Sequence, residues 1–173
     1  SDGQPGSYTD IDSADVIALY GHNMAETQAV LWTRVLDRLA GPNPPRVVCV
    51  DPRPTPVAKA ATLHLAPRPG TNVMLMNALL HEIIGNGWYD RAAEVCDVPA
   101  AGIREAARII GTAERLLSTV LQGFYQSHQA TAAAVQVNNI NVIRGMLGKP
   151  GCGILQMNGQ PTAQNTREAG ADG

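Results

Sequence analysis

Asp15–Val35 reads DVIALYGHNMAETQAVLWTRV, and the fold class turns on this stretch. Its first six residues, DVIALY, form a short apolar run ending at Gly21, the pattern of a strand buried on both faces. Ala25–Leu39 then carries Val30, Leu31, Val35, Leu36 and Leu39 at helical spacing, and Gly41–Pro45 stops it. A strand feeding straight into a helix recurs along the chain. RVVCV, Arg46–Val50, is a second buried strand, followed by Asp51 and a proline-rich turn. Thr62–Leu65 is a third short strand, and Asn72–Ile84 a second helix with Thr71 or Asn72 as its cap. Ala100–Ile110 reads as a helix, Leu116–Leu121 as a fourth strand and Gln129–Leu147 as a long alanine-rich helix. Ser1–Ser13 and Gly151–Gly173 read as loops. The alternation predicts an α/β fold, a Rossmann-like parallel sheet covered by helices.

Composition removes several functions. The 173 residues are enough for one domain with a core, and 45% are hydrophobic. A net charge of −2 without a lysine or arginine cluster does not suit a nucleic-acid surface. One Phe, two Trp and four Tyr leave little for stacking bases. No apolar run reaches the roughly 18 residues of a membrane span, and the polar, acidic start is not a secretory signal. Cys49, Cys96 and Cys152 are too far apart in sequence for a local metal or cluster motif, and read as buried thiols of a reducing, cytoplasmic setting. The chain lacks an initiator Met and starts within loop-like sequence, so it reads as a fragment.

In parallel sheets, ligands bind beyond the carboxyl ends of the strands. The residues to weigh are therefore Gly21–Glu26, Asp51–Thr55, Pro69–Asn72 and Gln122–Gln126, expected together on one edge. GHNMAE is either a turn whose glycine and first helical amides meet a phosphate or a simple tight turn. Asp51 either takes hydroxyls or a base edge of a nucleotide, or caps its own turn; Pro52, Pro54 and Pro56 stiffen the segment. PGTN, Pro69–Asn72, is consistent with plain N-capping. HEIIG, His81–Gly85, lacks the second histidine of HExxH and is rejected as a zinc site. Asn138, Asn139 and Asn141 fit an exposed helix face plus one buried amide.

Together, YGHNMAETQAVLWTRV, VDPRPT, PRPGTN, LQGFYQS and GQPTAQNTREAG resemble the dinucleotide-holding domains of the molybdenum bis-pterin oxidoreductases, over nearly the whole chain. The last motif is similar to the nitrate reductases of the assimilatory and periplasmic kinds. The resemblance implies part of a larger multidomain molybdoenzyme, with residues 1–173 as its molybdopterin guanine dinucleotide-binding portion. Carried over, Gly21, Asn23, Met24, Ala25 and Glu26 line one dinucleotide. Asp51, Pro52 and Arg53 approach its guanosine end with Gly70, Thr71 and Asn72. Gln122, Gly123 and Gln126 approach the pterin region, and Arg167 stands near the substrate funnel or pairs with Glu168 or Asp172. The implied cofactor is molybdenum bis-(molybdopterin guanine dinucleotide), with a [4Fe–4S] cluster in the parent protein outside this chain. The implied reaction is reduction of nitrate to nitrite, with electrons from a donor protein. Formate dehydrogenase, arsenite oxidase and a non-catalytic nucleotide module are the alternatives. None of the three cysteines matches the family's molybdenum ligand. Around Trp88–Val95 the chain is shorter than such relatives, so a missing loop is expected near Asp90–Arg91.

Overall fold

The computed structural model describes residues 6–85 and 89–157. Five parallel strands form one sheet: β1 (Val16–Tyr20), β2 (Arg46–Val50), β3 (Leu63–Leu65), β4 (Leu116–Val120) and β5 (Gly153–Gln156). Their order is β3-β2-β1-β4-β5. The chain steps outward from β1 to β3, then crosses back to place β4 on the other side of β1. The connections after β1 and β4 thus leave in opposite directions, which opens a crevice between their carboxyl ends.

Both faces of the sheet are covered, as the unbroken apolar strands require. Every residue of β1 and of β4 is buried. Val16, Ala18 and Tyr20 face a core built with α4 (Asn72–Ile84), α5 (Tyr89–Cys96), α6 (Ala100–Gly111) and α8 (Ala130–Ile143). Ile17 and Leu19 face the opposite core, built with α1 (Met24–Thr27), α2 (Ala29–Ala40), α3 (Pro56–Ala60) and a 3-10 turn at Tyr8–Asp12. The one-turn α7 (Gln122–Tyr125) follows β4. The period-two split of β1 between the cores is the strand geometry itself.

Several expectations need correction. The helix read over Ala25–Leu39 is two helices, interrupted at Gln28 (φ −134°, ψ 62°). After the interruption α2 buries Trp32 and Val35 and leaves Val30 exposed. The Gly151–Gly173 segment is not all loop: Gly153–Gln156 is β5, in register with Leu117–Val120. Ser1–Ser13 contains the 3-10 turn, closed by a capping box between Ser7 and Asp10. The helix expected over Gln129–Leu147 ends at Ile143. The missing loop expected near Asp90–Arg91 is not among these corrections: both residues lie in α5, close to residues 86–88 that lie outside the described ones.

One contact joins the two sides of the crevice. Gly21 (φ +58°) lies against Gly123 so closely that a Cβ on Gly21 would stand 2.6 Å from the Gly123 Cα. The Gly123 N–H donates to the Gly21 carbonyl at 3.2 Å, and the Gly21 N–H to the Val50 carbonyl at 2.8 Å. Gly21→Ala adds a left-handed alanine to a backbone clash. We expect a loss of about 2–4 kcal/mol in urea unfolding, and a similar change for Gly123→Ala, whose Cβ would meet the Gly21 Cα at 2.7 Å. Unaltered midpoints in both variants would refute the contact.

Candidate functional site

The four polar segments that follow the strands do converge. They line a cleft of about 640 Å³ at the carboxyl edge of the sheet. Gly21, Asn23 and Glu26 come from the β1–α1 turn, and Asp51, Pro52 and Arg53 from the segment after β2. Pro69, Gly70 and Asn72 come from the approach to α4, and Gln122, Gly123 and Gln126 from α7. Three further expected residues lie off the lining. Met24 is fully buried in the core beneath α1, and Ala25 packs against that core. The Thr71 hydroxyl donates to the Arg68 carbonyl at 2.7 Å, holding the turn before α4. Arg167 and the GQPTAQNTREAG motif lie outside the described residues.

The lining is made of amides and carbonyls more than of charge. Asn23 is only 5% exposed, yet neither its Oδ1 nor its Nδ2 has a partner. A buried carboxamide without partners costs about 1–3 kcal/mol, and most such groups in folded proteins are satisfied. Its place in the cleft wall points to a polar ligand. Asp51 is 3% exposed, with Oδ1 accepting from the Arg53 N–H at 2.9 Å and from the Arg53 guanidinium at 3.4 Å. The turn after β2 thereby caps itself, as its bland reading foresees, and still presents a carboxylate to the cleft. His64 Nε2 lies 2.7 Å from the Asp51 carbonyl and ties β3 to the same turn. The Asn72 amide donates to the Gly123 carbonyl at 2.9 Å, fastening the start of α4 to α7.

The start of α1 offers less to a phosphate than the sequence suggests. α1 is a single turn of four residues, and its Glu26 and Thr27 N–H groups donate back to the Asn23 carbonyl at 3.0 and 3.1 Å. Little dipole remains there for a phosphate. The long helix that begins at the cleft wall is α4, of 13 residues.

His22 carries no role of its own in the sequence reading beyond its place in GHNMAE. It is completely buried, with Nδ1 2.7 Å from Thr119 Oγ1 and Nε2 2.7 Å from Gln28 Oε1. Oε1 is an acceptor, so Nε2 carries the proton and Nδ1 accepts from the Thr119 hydroxyl. Burial outweighs the Gln28 hydrogen bond and lowers the His22 pKa to about 4. A polar residue inserted between the strand-ending Gly21 and a helix start was the only available signal. Burial, then the nearby Asp51 carboxylate, push the Cys49 thiol up to about 12. Cys49, Cys96 and Cys152 are all free and buried, as expected. Among the described residues no cluster of three His, Cys, Asp or Glu side chains could hold a metal.

Comparison with known proteins assigns this architecture a family. A family model described as Molybdopterin oxidoreductase matches residues 4–172. A nitrate reductase of Shewanella frigidimarina is 31% identical over 192 aligned positions, covering 96% of this chain and 20% of the relative. The alpha subunit of a formate dehydrogenase of Methanococcus maripaludis is 30% identical, covering 95% and 28%. Acetylene hydratase from Pelobacter acetylenicus superposes with a TM-score of 0.74 at 20% identity, covering 86% of this chain and 23% of that one; it shows the shared fold. The chain thus spans about a quarter of the length of the proteins it matches. The 192 aligned positions exceed its 173 residues, so the relative carries residues that this chain lacks.

His22 makes a pH prediction whose sign is fixed by its burial. The unfolded chain takes up this proton near pH 6.5 and the folded one only near pH 4. Stability is therefore undiminished above about pH 6.5 and falls as pH drops toward 4, by on the order of 3 kcal/mol from this group. Urea unfolding at pH 7 and pH 4.5 reads the loss. His22→Gln is expected to remove this share of it; an equal pH slope in that variant would refute the assignment.

Proposed function

This chain belongs to the molybdopterin oxidoreductase family, and from that premise we propose that it is the dinucleotide-holding part of a molybdenum enzyme's catalytic subunit. The observation that carries the reading is the Asn23 carboxamide, buried in the cleft wall with both polar atoms unpartnered. The residues fit a molybdopterin guanine dinucleotide. The Gly21–Gly123 contact lets two backbones converge where side chains would fill the space. Asn23, Asp51 and Arg53 would hold the nucleoside end, and Gln122 and Gln126 would face the pterin. When bound, the molybdenum centre supplies two-electron redox chemistry. The chain's own part is to bind, orient and shield: Asp51 accepts hydrogen bonds from hydroxyls or base N–H groups, Asn23 both donates and accepts them, and Arg53 offsets phosphate charge. The [4Fe–4S] cluster is assigned to sequence outside this chain.

We take nitrate as the substrate, reduced to nitrite in the cytoplasm with electrons from a donor protein. Support comes from the 31% identity to a nitrate reductase and from GQPTAQNTREAG, where Arg167 offers a cation to an oxyanion. Among the described residues no helix is long and apolar enough to cross a membrane. The shortening relative to the relatives is assigned to the α4–α5 junction. The 30% identity to a formate dehydrogenase subunit keeps formate oxidation as a second reading.

Two measurements test this. Calorimetric titration of the chain with guanosine diphosphate is expected to show binding that weakens about tenfold or more in Asn23→Ala and in Asp51→Ala, the loss of one hydrogen bond to a charged or buried partner. Binding untouched by both substitutions would take the dinucleotide out of this cleft. For the substrate, protein carrying this chain with its cofactor should oxidise a reduced viologen dye with nitrate; dye reduction by formate, with none by nitrate, would move the assignment to the second reading.

A further inference from the structure

Three elements of the cleft wall meet on one side chain. The His22 ring reaches Thr119 at the end of β4 through Nδ1 and Gln28 through Nε2, each at 2.7 Å. Gln28 stands where α1 and α2 are interrupted. A sequence with helical spacing through this point would run on as one helix. It breaks instead, and the residue at the break turns its carboxamide to the buried imidazole. The ring therefore fixes the β1–α1 turn from one side. On the other side, the Asn23 carbonyl accepts from the Glu26 and Thr27 N–H groups and lies 3.0 Å from the Thr27 hydroxyl. Between these two anchors the Asn23 backbone holds φ −84°, ψ 72° and its carboxamide remains unpartnered. An amide free to move would relax onto a neighbouring backbone group, as Asn side chains do locally. Something must hold it away from such partners.

We propose that His22 is a positioning residue, which pins the Gly21–Asn23 turn between β4 and the α1–α2 interruption so that the Asn23 carboxamide stays unpartnered in the cleft wall, held for the ligand of the cleft. The proposal rests on the reading of the cleft as a nucleotide site. Its geometric part, the hold on Asn23, can be tested without any ligand. Thr119→Val would leave one ring nitrogen without a partner, and Gln28→Leu the other, so each bond can be broken separately from the ring itself.

The test is nuclear magnetic resonance of the full chain labelled with nitrogen-15. The Asn23 side-chain amide pair is identified by its absence in Asn23→Ala. We expect it to be well separated from the exposed amides in the parent chain and to collapse onto them in His22→Ala and in Gln28→Leu, with the β1 and β4 backbone signals in place. Gln28→Leu keeps the test decisive where the imidazole is needed for folding. In guanosine diphosphate titrations, His22→Ala should weaken binding about tenfold, and this loss should vanish when Asn23 is already alanine. An Asn23 pair unmoved in both variants, or a His22→Ala loss undiminished in the Asn23→Ala background, overturns the proposal. If the pair responds but the parent chain binds no guanosine diphosphate, positioning by His22 stands and the nucleotide reading falls.

Discussion

The close approach of Gly21 to Gly123 is the constraint on which the site depends. β1 and β4 are neighbours, in register from Val16 opposite Leu116 to Tyr20 opposite Val120. Past those ends the two connections depart in opposite directions, and only backbone without side chains can fill the narrow start of the opening. A Cβ on either glycine would fall within 2.7 Å of the other backbone. The turns therefore touch, and the rest of the wall is arranged around that touch. Asn72 fastens α4 to the Gly123 carbonyl, and the Gly21 N–H fastens the turn to β2. The cleft widens outward from a backbone floor, which suits an elongated polar ligand better than a compact one.

Much of this was legible from sequence because burial on both sides of a parallel sheet writes continuous apolar runs. RVVCV matched β2 residue for residue, and Asn72–Ile84 matched α4. The triplet of asparagines in α8 also followed its reading. Asn138 is exposed, Asn139 donates to Gln136, and Asn141 is buried with its amide donating to Ser118 Oγ at 2.9 Å. What was not legible depended on partners distant in sequence. Gly153–Gln156 is only four residues long and follows the glycines at 148 and 151 too closely to announce a strand, and becomes one by adding to the edge of β4. α3 and α7 are single turns whose starts are set by Thr55 and by the end of β4. At the interruption the Gln28 carboxamide meets His22 and the neighbouring Thr27 hydroxyl, and His22 in turn meets Thr119, 97 positions away.

The site residues divide along the same line. A rule about strand ends anticipated that Asp51, Gly70, Asn72, Gln122 and Gly123 would lie together, and they line one cleft. It could not distinguish Asn23, which lines the cleft, from Met24, which the next step of the backbone turns into the core. Position along a turn gives the neighbourhood of a ligand, whereas orientation is decided by what the turn is tied to. Here the ties are a buried histidine and a backfolded carbonyl, neither of which has a sequence signature.

The electrostatics of the wall fit a ligand whose own charge varies along its length. Two carboxylates, Glu26 and Asp51, and one guanidinium, Arg53, line the cleft among amides. A wall built for phosphate alone would carry more cations. Asp51 is held almost out of solvent by the Arg53 backbone and side chain, which leaves it able to accept from neutral N–H or O–H groups without repelling them. Asn23 contributes a dipole that can present either sign. Such a wall discriminates by hydrogen-bond pattern and not by net attraction, because each unmatched buried polar atom would cost more than a matched one gains. That asymmetry favours a nucleobase and sugar at the Asp51 end. It also leaves the anionic middle of the ligand to the start of α4 and the backbone around the paired glycines.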